Sequence, residues 1–141
     1  MNKIQTYIEK LYNLDDWDTY LMQESGLPGP RANLELMQTV AEVGDESRFL
    51  RWLSYTPDVA PVNTQQEFLA CCGTTGLGKL VKDGKKEYLE QLRLLASDPR
   101  WRVREAVAMA LQIYGEDYME ELITEMENWA RGNDYEKRAA A

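Results

Sequence analysis

The stretch CCGTTGLGKL at residues 71–80 has the residue types of a phosphate-binding loop. Four residues separate Gly73 from Gly78 and Lys79, which is close to the spacing that cradles the phosphates of a nucleotide. Such a loop also needs a strand before it and a Ser or Thr after the lysine, but here a helical pattern precedes it and Leu80 follows. We therefore predict a packed helix in which these small residues allow another helix to approach closely.

Other groups with catalytic or metal-binding chemistry are scarce. The chain has no histidine, which excludes Ser-His-Asp and Cys-His nucleophilic sites and the usual zinc sites. Cys71 and Cys72 are adjacent, so disulfide geometry is unfavourable and a pair of buried thiols is predicted. The acidic runs at 15–18 and 120–127 are predicted to be solvated. The sequence thus predicts no catalytic residue, no metal ligand and no cofactor, and it favours a protein that is not an enzyme.

One basic segment lies between two acidic ones. Residues 79–104 contain eight basic and four acidic side chains, whereas the chain as a whole has a net charge of −8. Basic groups with an aromatic side chain among them suit a phosphate backbone and a base. The alternative is a solvated rim, paired with the acids of the same segment. The residues predicted to contact a partner are Trp101, Arg102, Arg100, Lys79, Lys82 and Arg31.

The pattern of apolar residues predicts an all-α protein. Val103, Ala106, Val107 and Ala110 follow the spacing of one helical face, and no sustained alternation indicates a strand. Capping residues are predicted at Asp45, at Asn63 or Thr64, and at Asp98, with Pro99 in the first turn of the next helix. Trp17, Trp52 and Trp129 lie on apolar stripes and are predicted to be core residues, whereas the exposure of Trp101 is open.

Helix pairs joined by Gly or Asp turns indicate an internal repeat. The stretch SDPRWRVREAVAMAL at 97–111 resembles the turn and second helix of a HEAT repeat, particularly the phycobilin-lyase-type HEAT-like repeats of the armadillo-like α-solenoids. ESGLPGPRANLELMQ, at 24–38, is similar to sequences of uncharacterised bacterial HEAT-repeat proteins. The resemblance implies a right-handed α-α superhelix of stacked antiparallel helix pairs. It also implies a polar ladder in which Arg104 bonds with the aspartate of the turn, here Asp98 or a neighbour.

The expected organisation is a single domain over residues 1–141. N-terminal capping helices occupy 1–44, and helix-pair repeats follow at 45–82, 83–114 and 115–141, the last of them incomplete. Because that last unit stops inside its second helix, either self-association through the C-terminal edge or continuation of the repeats in a longer chain is expected.

The resulting hypothesis is a non-enzymatic HEAT-repeat scaffold that binds another protein. The alternative is a nucleic-acid-associated protein related to the alkylpurine DNA glycosylases with HEAT-like folds, although the net charge disfavours nucleic acid. No apolar run approaches a membrane span and no secretory signal is evident, so a membrane partner is not expected and a cytoplasmic location is the default.

Overall fold

The computed structural model describes residues 2–141, which form nine α-helices and no strand. This confirms the all-α prediction. The helices are α1 Lys3–Tyr12, α2 Trp17–Gln23, α3 Leu34–Val43, α4 Glu46–Trp52, α5 Gln65–Lys82, α6 Tyr88–Leu95, α7 Trp101–Gly115, α8 Met119–Trp129 and α9 Asp134–Ala140. The pairs α4–α5, α6–α7 and α8–α9 fall mainly within the segments 45–82, 83–114 and 115–141.

Side-chain caps fix most helix starts. The Asp45 carboxylate accepts from the Arg48 amide at 2.9 Å, and the Thr64 hydroxyl accepts from the Glu67 amide at 3.3 Å. Each satisfies an amide that the first helical turn would otherwise leave without a partner. The predicted caps at Asp45 and Thr64 are therefore confirmed.

The predicted start of α7 is wrong by two residues. The helix begins at Trp101 and has no side-chain cap, so Asp98 is not its N-cap and Pro99 is outside it. The Asp98 carboxylate instead accepts from the backbone amide and the guanidinium of Arg100. This local bonding keeps Arg100 extended and delays the helix.

Helix α5 is the centre of the molecule. It packs against α2, α3, α4, α6 and α7, and every residue from Glu67 to Gly78 is buried. Glycines make this enclosure possible, since a Cβ on Gly78 would lie 2.5 Å from the Cα of Ala110 in α7 and one on Gly73 would lie 2.8 Å from the Phe49 carbonyl oxygen in α4. The predicted role of the small residues as close helix contacts is confirmed.

The predicted tryptophans of the core are also confirmed. Trp52 and Trp129 are fully buried and Trp17 is 5% exposed, whereas Trp101 is 46% exposed. The Trp52 indole donates to Asp18 at 2.8 Å, and the same carboxylate receives two hydrogen bonds from Arg51. These bonds join α2 to α4 and satisfy the polar atom of a buried ring.

Candidate binding groove between helices α7 and α9

Helix α5 runs unbroken through the glycine-lysine stretch, so no phosphate loop is formed there. Gly73 and Gly78 lie in buried helix, and the Lys79 ammonium pairs with Asp83 at 3.2 Å. Amides within a helix are already bonded to the preceding turn and have none to offer a phosphate. The structure supports the prediction made for this motif.

The two thiols are enclosed in the same helix. Cys71 and Cys72 are free and fully buried, and burial raises the pKa of both, with the charge of Glu67 adding to the effect on Cys71. The thiolate is the nucleophilic form, so both side chains are chemically inert in the folded protein.

We expect neither cysteine to react with an aromatic disulfide reagent in native protein at neutral pH, and both to react after unfolding in guanidinium. A Ser47→Cys variant, with its new thiol at an exposed position of α4, provides the control and should react at once. A native thiol that reacts as fast as this control would contradict the enclosure of α5.

Most basic side chains of residues 79–104 form ion pairs with acidic side chains of the same chain. Six of the eight form such pairs, and within the described residues only Lys86 and Arg104 do not. Two of the acidic partners lie within the segment, and the others lie in four separate places outside it. The pairs are Lys79–Asp83, Lys82–Glu116 and Asp117, Lys85–Glu46, Arg93–Glu136, Arg100–Asp98 and Arg102–Glu67. Little positive charge is left for a phosphate backbone.

Arg100 is buried and binds the loop between α4 and α5. It is 3% exposed, and its guanidinium binds Asp98 as well as the carbonyl oxygens of Tyr55 at 2.7 Å and Ala60 at 3.1 Å. Arg100 therefore holds the connection between α4 and α5 against the start of α7. Its guanidinium lies away from any surface that a partner would reach.

Arg102 is also internal and joins three segments. Its guanidinium lies 3.3 Å from the fully buried Glu67 carboxylate and donates to the Gly29 carbonyl at 2.9 Å. The same carboxylate accepts from the Asn63 amide at 2.9 Å, and the Asn63 side chain accepts from the Gly29 amide at 2.9 Å. The cluster connects α5, α7 and the loop after α2, so Arg102, like Arg100, is internal and not available to a partner.

The remaining predicted residues do not form one site. Lys79 and Lys82 lie at the end of α5, where Lys82 pairs with Glu116 just after α7, whereas Trp101 is the first residue of α7. A 15-residue helix is about 22 Å long, so these residues are at opposite ends of it. Arg31 is exposed on the loop after α2.

A cavity that was not predicted lies beside α7. It has a volume of about 620 Å³, with the outer face of α7 as its floor and α8 and α9 as its sides. Among its lining residues are Ala96, Trp101, Arg104, Glu105, Ala108, Leu111, Gln112, Leu122, Met126, Tyr135, Arg138, Ala139 and Ala140. We call this cavity the α7–α9 groove.

The two ends of the α7–α9 groove differ in chemistry. The guanidinium carbons of Arg104 and Arg138 lie 5.0 and 5.8 Å from the centre of the Tyr135 ring, which gathers two positive charges over one aromatic side chain. Neither arginine forms an ion pair within residues 2–141. Farther along, the lining is largely apolar and includes Leu122 and the nearly buried Leu111, with the polar Gln112 beside them. One ligand carrying both a carboxylate and apolar groups would satisfy both ends.

Arg104 has a second contact, which differs from the polar ladder that the HEAT resemblance implies. Its guanidinium donates to the backbone carbonyl of Asp98 at 2.8 Å. The carboxylate of Asp98 is occupied by Arg100, so the bond is to the backbone. Arg104 is thus held in place at the groove while part of its guanidinium remains over Tyr135.

The sequence contained one signal for this groove. Ala108 is exposed on α7, whereas Ala106 and Ala110 on either side of it are buried, so alanine occurs on both faces of the helix. The sequence gave no indication that Tyr135 and Arg138 line the groove, because their proximity to Arg104 depends on how α9 packs against α7.

An apolar surface continues the groove over α8. A shallower depression of about 530 Å³ shares Leu122 and Met126 with it, and Ile123 there is 52% exposed. Large apolar side chains exposed in a contiguous patch mark interaction surfaces more often than single exposed ones do.

Within the described residues, no helix is both long and apolar enough to cross a membrane, and no cluster of three or more Cys, Asp or Glu side chains is arranged to hold a metal ion.

Comparisons of the chain with protein-family models, with curated proteins and with solved structures found no match.

Proposed function

We propose that this protein is a non-enzymatic α-solenoid of the HEAT-like type that binds another protein in the α7–α9 groove. The observation that carries the proposal is the groove itself, which combines an apolar lining with two arginines that have no acidic partner in the described chain. Such a combination suits the recognition of a ligand.

The order of the helices supports the superhelical arrangement. Three helix pairs follow one another, and the second helices of the first two pairs, α5 and α7, lie side by side through Gly78 and Ala110. In a solenoid each unit buries its apolar face against the next. Two free thiols without a disulfide are usual in the cytosol, and a cytoplasmic location is part of the proposal.

The test is a variant that fills the groove. Ala108→Trp places a large ring on its floor, while Ser47→Trp places the same ring on the exposed surface of α4. From cells of the source organism, affinity purification should recover a protein with the wild type and with Ser47→Trp but not with Ala108→Trp. The interaction should then be reproduced with purified components. A purified partner that binds all three proteins equally would place the binding surface elsewhere.

A nucleic-acid-associated function is the second candidate, and one observation favours it. Trp101 is 46% exposed, and the Arg102 guanidinium lies 4.4 Å from the centre of its ring, which resembles a base-stacking platform. Against it, six basic side chains of the segment are paired internally, so few are left for phosphates. Salt-dependent binding of duplex or alkylated DNA, lost in Trp101→Ala, would favour this candidate.

A further inference from the structure

We infer that the occupant of the α7–α9 groove is an amphipathic helix of another protein with an acidic side chain at one end of its apolar stripe. This inference rests on the proposed function and specifies the partner's chemistry. Three features of the groove carry it: the periodicity of its floor, the small side chain at its centre, and the charge at one end.

The floor has the shape of a helix-packing surface. Arg104, Ala108, Leu111 and Gln112 are spaced by four, seven and eight residues, so they form a row along the axis of α7. Rows of this kind leave grooves into which the side chains of a second helix fit. A second helix is an occupant whose side chains would fit such grooves over the length of the row.

The centre of the floor permits a close approach. Ala108 is exposed and small, so it leaves room for a second helix close to α7. On the opposite side of α7, small residues already allow such close packing, since Gly78 of α5 contacts the backbone of Ala110. A helix laid over Ala108 would extend the layer formed by α5 and α7 by one more member. Its large apolar side chains would reach Leu111 and Leu122 on either side.

The charged end selects the acidic residue. Arg104 and Arg138 share Tyr135, and neither has an acidic partner within the described residues. Glu105 is the one acidic side chain of the lining, and it forms no ion pair with either arginine. A carboxylate from the occupant would complete the pairing beside Tyr135, which is 40% exposed.

The same features disfavour the other occupants. A nucleic-acid backbone would use the arginines but would gain nothing from Leu111, Leu122 and Met126. A second copy of the chain could offer its own acidic helix α8, but two molecules with a net charge of −8 repel each other. A helix from a different protein needs an acidic side chain only at one end of its apolar stripe, so it does not have to carry the net negative charge that makes two copies repel.

The experiment uses a labelled helical peptide of about 14 residues, or four turns, with leucines on one face and two glutamates at one end of that face. One matched peptide has glutamine in place of glutamate, and another has its leucines spread around the helix. Fluorescence anisotropy with the full chain at low salt should show binding of the glutamate peptide. The glutamine peptide should bind about tenfold more weakly, and the spread peptide should not bind.

Two protein variants locate the effect. Arg138→Gln should reduce the preference for glutamate over glutamine to near unity, and Arg131→Gln, which removes an exposed arginine from outside the groove, should preserve it. Ala108→Trp should abolish binding of both peptides. Added salt should lower the affinity for the glutamate peptide more than the affinity for the glutamine peptide, because salt screens exposed charges.

Several results would overturn the inference. Equal affinity of the wild type for the glutamate and glutamine peptides would show that the groove does not require an acidic side chain. Binding of the spread peptide would show that it does not require an amphipathic helix. Displacement of the peptide by duplex DNA, or a dimer in sedimentation equilibrium that Ala108→Trp dissociates, would assign the groove to another occupant. If no peptide binds while Ala108→Trp still loses a purified partner, the inference fails and the proposed function stands.

Discussion

Replacing Arg102 with alanine is expected to lower the free energy of unfolding by about 3–5 kcal/mol, because it leaves the Glu67 carboxylate buried without its counter-charge. Glu67 is fully buried, and one of its oxygens already lacks a hydrogen-bond partner within the described residues. The substitution also frees the Gly29 carbonyl, which now accepts from Arg102. Urea unfolding followed by circular dichroism would measure the loss.

Two further variants separate the charge from the packing. Arg131→Ala removes an exposed arginine and should change stability little. The double variant Glu67→Met with Arg102→Met replaces the pair by apolar side chains of similar length and should recover most of the lost stability, since no unpaired charge remains. A loss below about 1 kcal/mol in Arg102→Ala would contradict the view that this pair holds a buried charge.

Changing Gly78 to alanine is expected to destabilise the protein by about 1–3 kcal/mol, even though alanine is the better helix former by about 1 kcal/mol. The added Cβ would lie 2.5 Å from the Cα of Ala110 and 2.7 Å from its carbonyl carbon, so α5 and α7 would have to separate. Thermal unfolding monitored by calorimetry would show a lower midpoint.

A second substitution tests whether the contact is with backbone. Ala110→Gly removes a side chain from α7 but leaves the backbone atoms that Gly78 meets, so it should not restore the Gly78→Ala variant. Stabilisation by Gly78→Ala alone would show that helix propensity outweighs the contact and that the two helices have room to spare.

The helices and much of the core could be predicted from the sequence because their determinants are local. Spacings of three and four residues place Val103, Ala106, Val107 and Ala110 on one buried face of α7, and Asp45 caps α4 as its position indicates. The glycines of 73–78 were assigned to close helix contacts by the same reasoning. The capping rule predicts a start of α7 at Asp98 and Pro99, but the Asp98 carboxylate binds Arg100 and the helix begins at Trp101.

Pairing of Lys79 with Asp83 and of Arg100 with Asp98 is local and agrees with the predicted pairing within the segment. The destinations of the other basic side chains could not be predicted, because their partners are distant in sequence. Glu67 precedes Arg102 by 35 residues, and the carbonyl of Gly29 precedes it by 73. A run of charges looks the same in sequence whether it is solvated or buried. The α7–α9 groove escaped prediction for a related reason, since Tyr135 and Arg104 meet only once α8 and α9 have folded back along α7.

The enclosure of α5 also affects how the molecule comes apart. In a repeat array each unit touches its neighbours, so the ends can melt while the middle persists. Helix α5 contacts α2, α3, α4, α6 and α7, and its residues from Glu67 to Gly78 are buried. Withdrawing any of those neighbours exposes part of that buried surface, so we expect the helices from α2 to α7 to unfold together, while α8 and α9, which pack on α7 and on each other, can separate first.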